Sequence, residues 1–421
     1  MQAKRIDRRH WLRQSFTVGL RSSLLYSGIS LSALGCKRDR QRQENGPVML
    51  DNEPVLRFPD KVPMRVVNDR PPCLETPWRY YRDDFTPNEA FYVRWHLQSI
   101  PTRIDSANWR LKIGGHVQKS LELSLADLRQ FEVVQLAAVN QCSGNSRSLF
   151  GPRVTGAQWG NGAMGNAMWA GVPLKTLLDK AGIRAGAIDV SFDGLDQGPL
   201  ASVPDFVKSL PLDIARRPEV LVAYEMNGAP LPILNGFPVR LVVPGYYATY
   251  WIKSLSQIIV HEQTYTGYWM TKAYLIPATN NANENPDRLS KSMIPIHQMN
   301  VRSFFTMPEE LQQVRKNQLV KLAGIAFDGG SGIAKVEISA DRGKSWQQTE
   351  LGKNHGNYSF RRWSALWQNS EEFTKLLENN KATWLVKATN NKGEEQPMES
   401  IWNRGGYMRN GVESWSVEVV G

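Results

Sequence analysis

Along Trp109–Val117 the order Trp-Arg-Leu-Lys-Ile sends every second side chain to the same face, the alternation of a half-buried strand. Short apolar runs at Val190–Phe192, Val239–Val243 and Ile258–Val260 read as further strands. Elsewhere the period lengthens. Leu123–Leu128 opens a short amphipathic helix with Ser124 as its N-cap, and Val172–Gly182 spaces its leucines three and four apart and stops at a glycine. Strands and helices mix without a repeating strand–helix–strand rhythm, which predicts an α+β fold rather than a doubly wound sheet. Residues 60 to 100, rich in proline and aromatics, read as an extended segment.

The texture changes at Pro277–Lys291, a stretch rich in Asn, Pro and Asp. Beyond it Val336–Ser339 and Trp384–Ala388 alternate, while Asp328-Gly329-Gly330 and Asp341-Arg342-Gly343 supply turns. The pattern predicts a mixed α/β domain over residues 60–290, then an all-β sandwich of immunoglobulin type over 291–421. A chain of 421 residues is long enough for both cores and an export segment.

Charge changes the picture less than its total implies. Residues 1–46 hold ten Lys and Arg against three acids, so they carry +7 of the chain's +11 and leave the body mildly basic. No basic stripe interleaved with aromatics runs through the body, so nucleic acid is excluded as a partner. Residues 1–36 read as an export signal of twin-arginine type, with Arg8-Arg9 before a modestly apolar stretch that Arg21 makes unsuitable for spanning a membrane. The expected location is the periplasm. Ala33-Leu34-Gly35-Cys36 resembles a lipoprotein cleavage box, offering Cys36 for lipid attachment, and residues 37–59 read as a linker.

Cys36, Cys73 and Cys142 are too few for a disulfide framework, and no spacing suits zinc or covalent c-type haem. Cys142 has the most informative surroundings. An apolar run, Val133–Val139, delivers it into the small polar turn Ser143-Gly144-Asn145-Ser146, with Arg147 five positions on. An accessible thiol near fixed positive charge is biased toward thiolate, which serves as nucleophile or soft-metal ligand. No histidine lies between His116 and His261, which puts metal ligation ahead without excluding a partner supplied by the fold.

Several blocks then occur in a familiar order. They are Phe91-Tyr92-Val93-Arg94-Trp95-His96, Cys142–Arg147, Gly162–Ala167 with Trp169–Leu174, Phe192–Asp196, Ala223–Gly228, Asn235–Arg240 and Val243-Pro244-Gly245. Together they resemble the sulfite oxidase family of molybdopterin enzymes across roughly residues 60–421. Gly267–Met270 and Gly406–Asn410 resemble its bacterial periplasmic sulfite dehydrogenases most.

The resemblance implies a molybdenum–molybdopterin cofactor, one per chain, with Cys142 as the protein's metal ligand. Arg94, Arg147 and Tyr274 would face the substrate. Tyr92, Arg94, His96, Asp196, Asn235, Arg240, Trp251 and Lys253 would hold the pterin. A C-terminal arginine is also expected at the pocket, Arg409 in preference to Arg404. Asn235 departs from the histidine of animal members. The implied reaction is oxidation of sulfite to sulfate by oxygen-atom transfer. With no haem in this chain, electrons would pass to a separate c-type cytochrome, the assembly being a homodimer or a complex with a haem subunit. The alternatives are a related sulfane dehydrogenase and a non-catalytic periplasmic binding lipoprotein.

Overall fold

The computed structural model describes Phe58 and residues 60–307, 313–315, 318–368 and 380–420. The expected export signal, Cys36 and nearly all of the 37–59 linker lie outside the described residues. Among the described residues no helix is long and apolar enough to cross a membrane.

The first part is built mainly from strands. One sheet sets Val134–Gln141 beside Met164–Pro173, then Leu221–Met226, which also pairs with Arg240–Val242. A second sheet joins Leu111–Gly115, Gln257–His261, Asp189–Asp193 and Lys208–Pro211, with a parallel pairing between the first two. The predicted strands over 109–117, 190–192, 239–243 and 258–260 all appear, within a residue or two at their ends. A small sheet of Arg65–Asn68, Cys73–Glu75 and Val93–Arg94 precedes them, so the segment read as extended is partly paired.

Helices are few and short, four to eight residues each among the described residues. Leu125–Leu128 carries a reciprocal cap: the Ser124 hydroxyl accepts from the Asp127 amide, and the Asp127 carboxylate accepts from the Ser124 amide. Leu174–Ala181 buries Leu174, Leu177, Leu178 and Ala181, one stripe at helical spacing. It ends at Gly182, whose φ of 70° is left-handed and costs a glycine little. This helix starts two residues later than the sequence predicts, because Val172 and Pro173 remain in the sheet opposite Val222 and Leu221.

Residue 290 falls between the paired strands Leu275–Pro277 and Met293–Pro295, so the Asn-, Pro- and Asp-rich stretch at the expected domain boundary is the loop of a hairpin. Beyond it, Arg302–Met307, Leu319–Phe327 and Arg361–Gln368 form one sheet. Ile333–Ser339, Lys381–Asn390 and Glu413–Val420 form another. The two share a core that includes Phe305, Leu322 and Trp363 from the first sheet and Val336, Trp384 and Val417 from the second.

Candidate active site

The site begins where a strand runs out of sheet. Val134–Gln141 becomes continuously buried from Ala137 onward, so its end plunges into the protein and releases Cys142 at the wall of an internal cavity. The turn is fixed by its own backbone. The Cys142 amide donates to Ala163 O at 2.9 Å, Asn145 N to Cys142 O at 3.0 Å, and Ser146 N to Gly160 O at 2.7 Å. Asn145 Oδ1 accepts from the Ala163 amide at 3.0 Å. The Arg147 guanidinium folds over Gly144, so a Cβ there would force it to shift. Cys142 and Cys73 are both free thiols.

A second element supplies three lining residues at once. Tyr92, Arg94 and His96, on and beside the two-residue strand Val93–Arg94, all reach the cavity. Asn140 and Ser143 flank the thiol, and Leu234, Asn235, Arg240, Ala248, Thr249, Lys253 and Tyr274 form the remaining walls. Tyr274 sits at a left-handed φ of 56°. Its hydroxyl is hydrogen-bonded to His96 Nε2, while the His96 ring stacks on Phe206 at 3.7 Å between centroids.

The lining carries Arg94, Arg240 and Lys253 and no carboxylate. Burial pulls Lys253 down to about 7, with Arg240 adding to the effect, and pulls Arg240 down to about 10. Burial also lowers His96, helped by Arg94, Lys253 and Lys208, so its ring is neutral. Burial raises Tyr274, which stays a phenol. Burial acts against the charge on Arg94 too, but Tyr274, Cys73 and Cys142 outweigh it and hold the guanidinium protonated.

Four lining atoms lack any hydrogen-bond partner: Asn140 Nδ2, Ser143 Oγ, Thr249 Oγ1 and Arg240 Nε. Buried polar atoms are rarely left so, and a cationic cavity with idle donors fits an anionic, polar occupant. Among the described residues no cluster of His, Cys, Asp and Glu could hold a metal by itself. A metal at Cys142 must therefore bring its other ligands with it. A phosphate-bearing organic group that carries a soft metal meets both demands, so the residues fit a molybdopterin cofactor.

Eight of the twelve residues singled out from the sequence line the cavity, and four do not. Arg147 turns away: its Nε and one terminal nitrogen donate to Gly405 O at 3.2 and 3.1 Å, and its guanidinium lies over the Tyr407 ring. It stays adjacent, because Tyr407 stacks on Tyr274 at 5.5 Å. Asp196 stands behind Lys253; burial raises it to about 6 while Lys253 pulls it back. Trp251 acts from behind too, accepting from Arg240 at its carbonyl at 3.2 Å. Arg409 is also absent from the lining. It is paired with the buried Glu413, which shares its carboxylate with Arg302. Arg404 is no substitute, since it forks onto the buried Glu284.

Asn235 lines the cavity and also has partners within the protein. Its Oδ1 accepts from Lys61 Nζ at 2.5 Å and its Nδ2 donates to Tyr92 O at 3.0 Å, so the amide is already engaged. Sequence reasoning missed Asn140, Ser143, Leu234, Ala248 and Thr249. Proximity to Cys142 could have raised the first two; nothing local marks the others.

Comparison with known proteins agrees with this geometry. Residues 96–269 match the oxidoreductase molybdopterin binding domain, and residues 293–418 match the Mo-co oxidoreductase dimerisation domain. Mitochondrial sulfite oxidase of Rattus norvegicus is 31% identical over 388 residues, covering 89% of this chain and 69% of the relative. Sulfite oxidase of Arabidopsis thaliana is 31% identical over 375 residues, covering 83% of this chain and 93% of the relative. The crystal structure of the sulfane dehydrogenase SoxCD from Paracoccus pantotrophus superposes with a TM-score of 0.69 at 22% identity, covering 92% of this chain and 94% of that one. Fold and cavity thus define a molybdopterin oxidoreductase with an appended dimerisation domain. Within that class, the chain belongs to the sulfite oxidase family.

Proposed function

We propose that this protein oxidises sulfite to sulfate and passes the electrons to a separate c-type cytochrome. The observation that carries the reading is Cys142 at the wall of a cavity ringed by Arg94, Arg240 and Lys253 with no carboxylate among them. When bound, the molybdenum centre would supply the redox chemistry and the transferable oxygen. The chain's own residues do the rest. Cys142 would bind the metal, Arg240 and Lys253 would neutralise the cofactor's phosphate, and the idle donors of Asn140, Ser143 and Thr249 would hydrogen-bond to the group they surround.

Sulfite is a small dianion near neutral pH, and removing it from water demands fixed positive charge. Arg94 provides it as a planar, always-protonated donor pair. Tyr274, oriented by His96, would hold a proton on the substrate's oxygen side. The neutral states of Tyr274 and His96 suit this role, because neither competes for the anion with charge of its own.

A sulfane reading has one observation in its favour. Arg147 is held on Gly405 rather than at the cavity wall, which leaves the mouth less cationic than a free dianion is best served by. Turnover of sulfite with soluble cytochrome c, run beside turnover of a sulfane-bearing carrier thiol, separates the two. We also assign residues 1–36 to twin-arginine export into the periplasm, and the C-terminal two-sheet part, an immunoglobulin-like sandwich, to pairing with a second copy or a haem subunit. The test of the whole reading is Cys142→Ser, which should abolish sulfite-dependent cytochrome reduction while the far-UV spectrum stays native. Retained activity overturns it, and metal-free wild-type protein from a cofactor-competent host would favour a non-catalytic binding lipoprotein.

A further inference from the structure

The turn that presents Cys142 is anchored from the far side by a residue of the C-terminal part. Arg302 opens the strand Arg302–Met307 and is 1% exposed. One of its terminal nitrogens lies 2.6 Å from Ser146 Oγ, 2.9 Å from Asn161 Oδ1 and 2.8 Å from Glu413 Oε1. Ser146 closes the Cys142 turn and holds a left-handed φ of 67°, a conformation a serine adopts only when its surroundings insist. Asn161 lies in the facing segment, whose Gly160 and Ala163 carbonyls receive the Ser146 and Cys142 amides. The Ser146 hydroxyl also bonds Asn161 directly. Arg302 therefore grips both walls of the channel in which the Cys142 backbone runs.

The geometry points to Arg302 as a positioning residue: it locks the Ser146 end of the turn so that the Cys142 thiol faces the cavity in one orientation. It touches neither the cavity nor the thiol, and its action passes wholly through Ser146 and Asn161. The second arginine at Glu413 makes the idea testable. With Arg302 removed, Glu413 keeps Arg409 as its partner, so the buried carboxylate is not abandoned. The C-terminal part thereby contributes to the metal-ligating turn itself, in addition to any role in pairing chains. The inference rests on the reading of Cys142 as the ligand only for its significance; its test needs neither metal nor turnover.

The full chain is expressed without cofactor, and iodoacetamide labelling of each cysteine is followed by peptide mass mapping. Arg302→Met should raise the labelling rate of Cys142 about five- to tenfold through local opening of the turn. Cys73, buried in the sheet of Cys73–Glu75, serves as the internal reference and should not change. Ser146→Ala removes the Ser146 side of this grip, together with its bond to Asn161, while keeping every charge, so it should move Cys142 in the same direction. Unchanged Cys142 labelling in both variants overturns the proposal. So does a parallel rise at Cys73, which would mark Arg302 as a general packing residue.

Discussion

Lys208 offers a quantitative test of how dry the protein is beneath the site. Its side chain is 0% exposed, its ammonium donates to Trp269 O at 2.6 Å, and it lies over the rings of Tyr250 and Tyr274 at 4.8 and 5.6 Å. Burial lowers its pKa from 10.5 to about 7, a shift that corresponds to about 5 kcal/mol of penalty on the charged form. The folded state holds this proton less tightly than the unfolded chain does. The penalty is therefore full below pH 7, shrinks between pH 7 and 10.5, and vanishes above that window. Methionine has similar length and no charge, and it forfeits one hydrogen bond worth about 1 kcal/mol. Lys208→Met should stabilise the cofactor-free chain by roughly 2–4 kcal/mol at pH 6, and the advantage should disappear or reverse by pH 10. Urea unfolding of the full chain at pH 6, 8 and 10 gives the comparison. A variant equally destabilised at all three values would show that Lys208 carries no burial penalty and would refute the reasoning.

Other variants probe separate parts of the structure. Arg94→Gln should cost about 10²–10³-fold in kcat/KM for sulfite while leaving cytochrome reduction by pre-reduced enzyme intact, and an equal loss in both would remove Arg94 from substrate binding. Glu413→Gln strands Arg302 and Arg409 in the interior and should destabilise the chain by about 3 kcal/mol, read by thermal or urea unfolding; a change within experimental error would mean the pair is wet.

The parts of the site legible in the sequence were those set by local pattern. An apolar run ending in small polar residues foretold the delivery of Cys142 into a turn. The family register then located Arg240, Lys253 and Tyr274. What remained hidden was the direction taken by long side chains. Arg147 is five residues from the thiol, yet its guanidinium is captured by the carbonyl of Gly405, 258 positions away. Arg409 is claimed by Glu413, one turn of sequence further on, because both are buried beside Arg302. The buried lysine was equally invisible. Lys208 looks like a surface charge in the sequence, but it is enclosed and bonded to the backbone carbonyl of Trp269. The fold was similar. Strands with clear alternation were predicted within two or three residues at their ends, whereas the hairpin of Leu275–Pro277 and Met293–Pro295 was masked by the polar loop between them.

X-ray absorption at the molybdenum edge tests the central claim most directly, comparing the wild-type chain with Cys142→Ser from a cofactor-competent host. The wild type should contain molybdenum with a protein thiolate in its sulfur shell, and the serine variant should lose a single sulfur scatterer. An identical sulfur shell in both proteins would mean that Cys142 does not bind the metal.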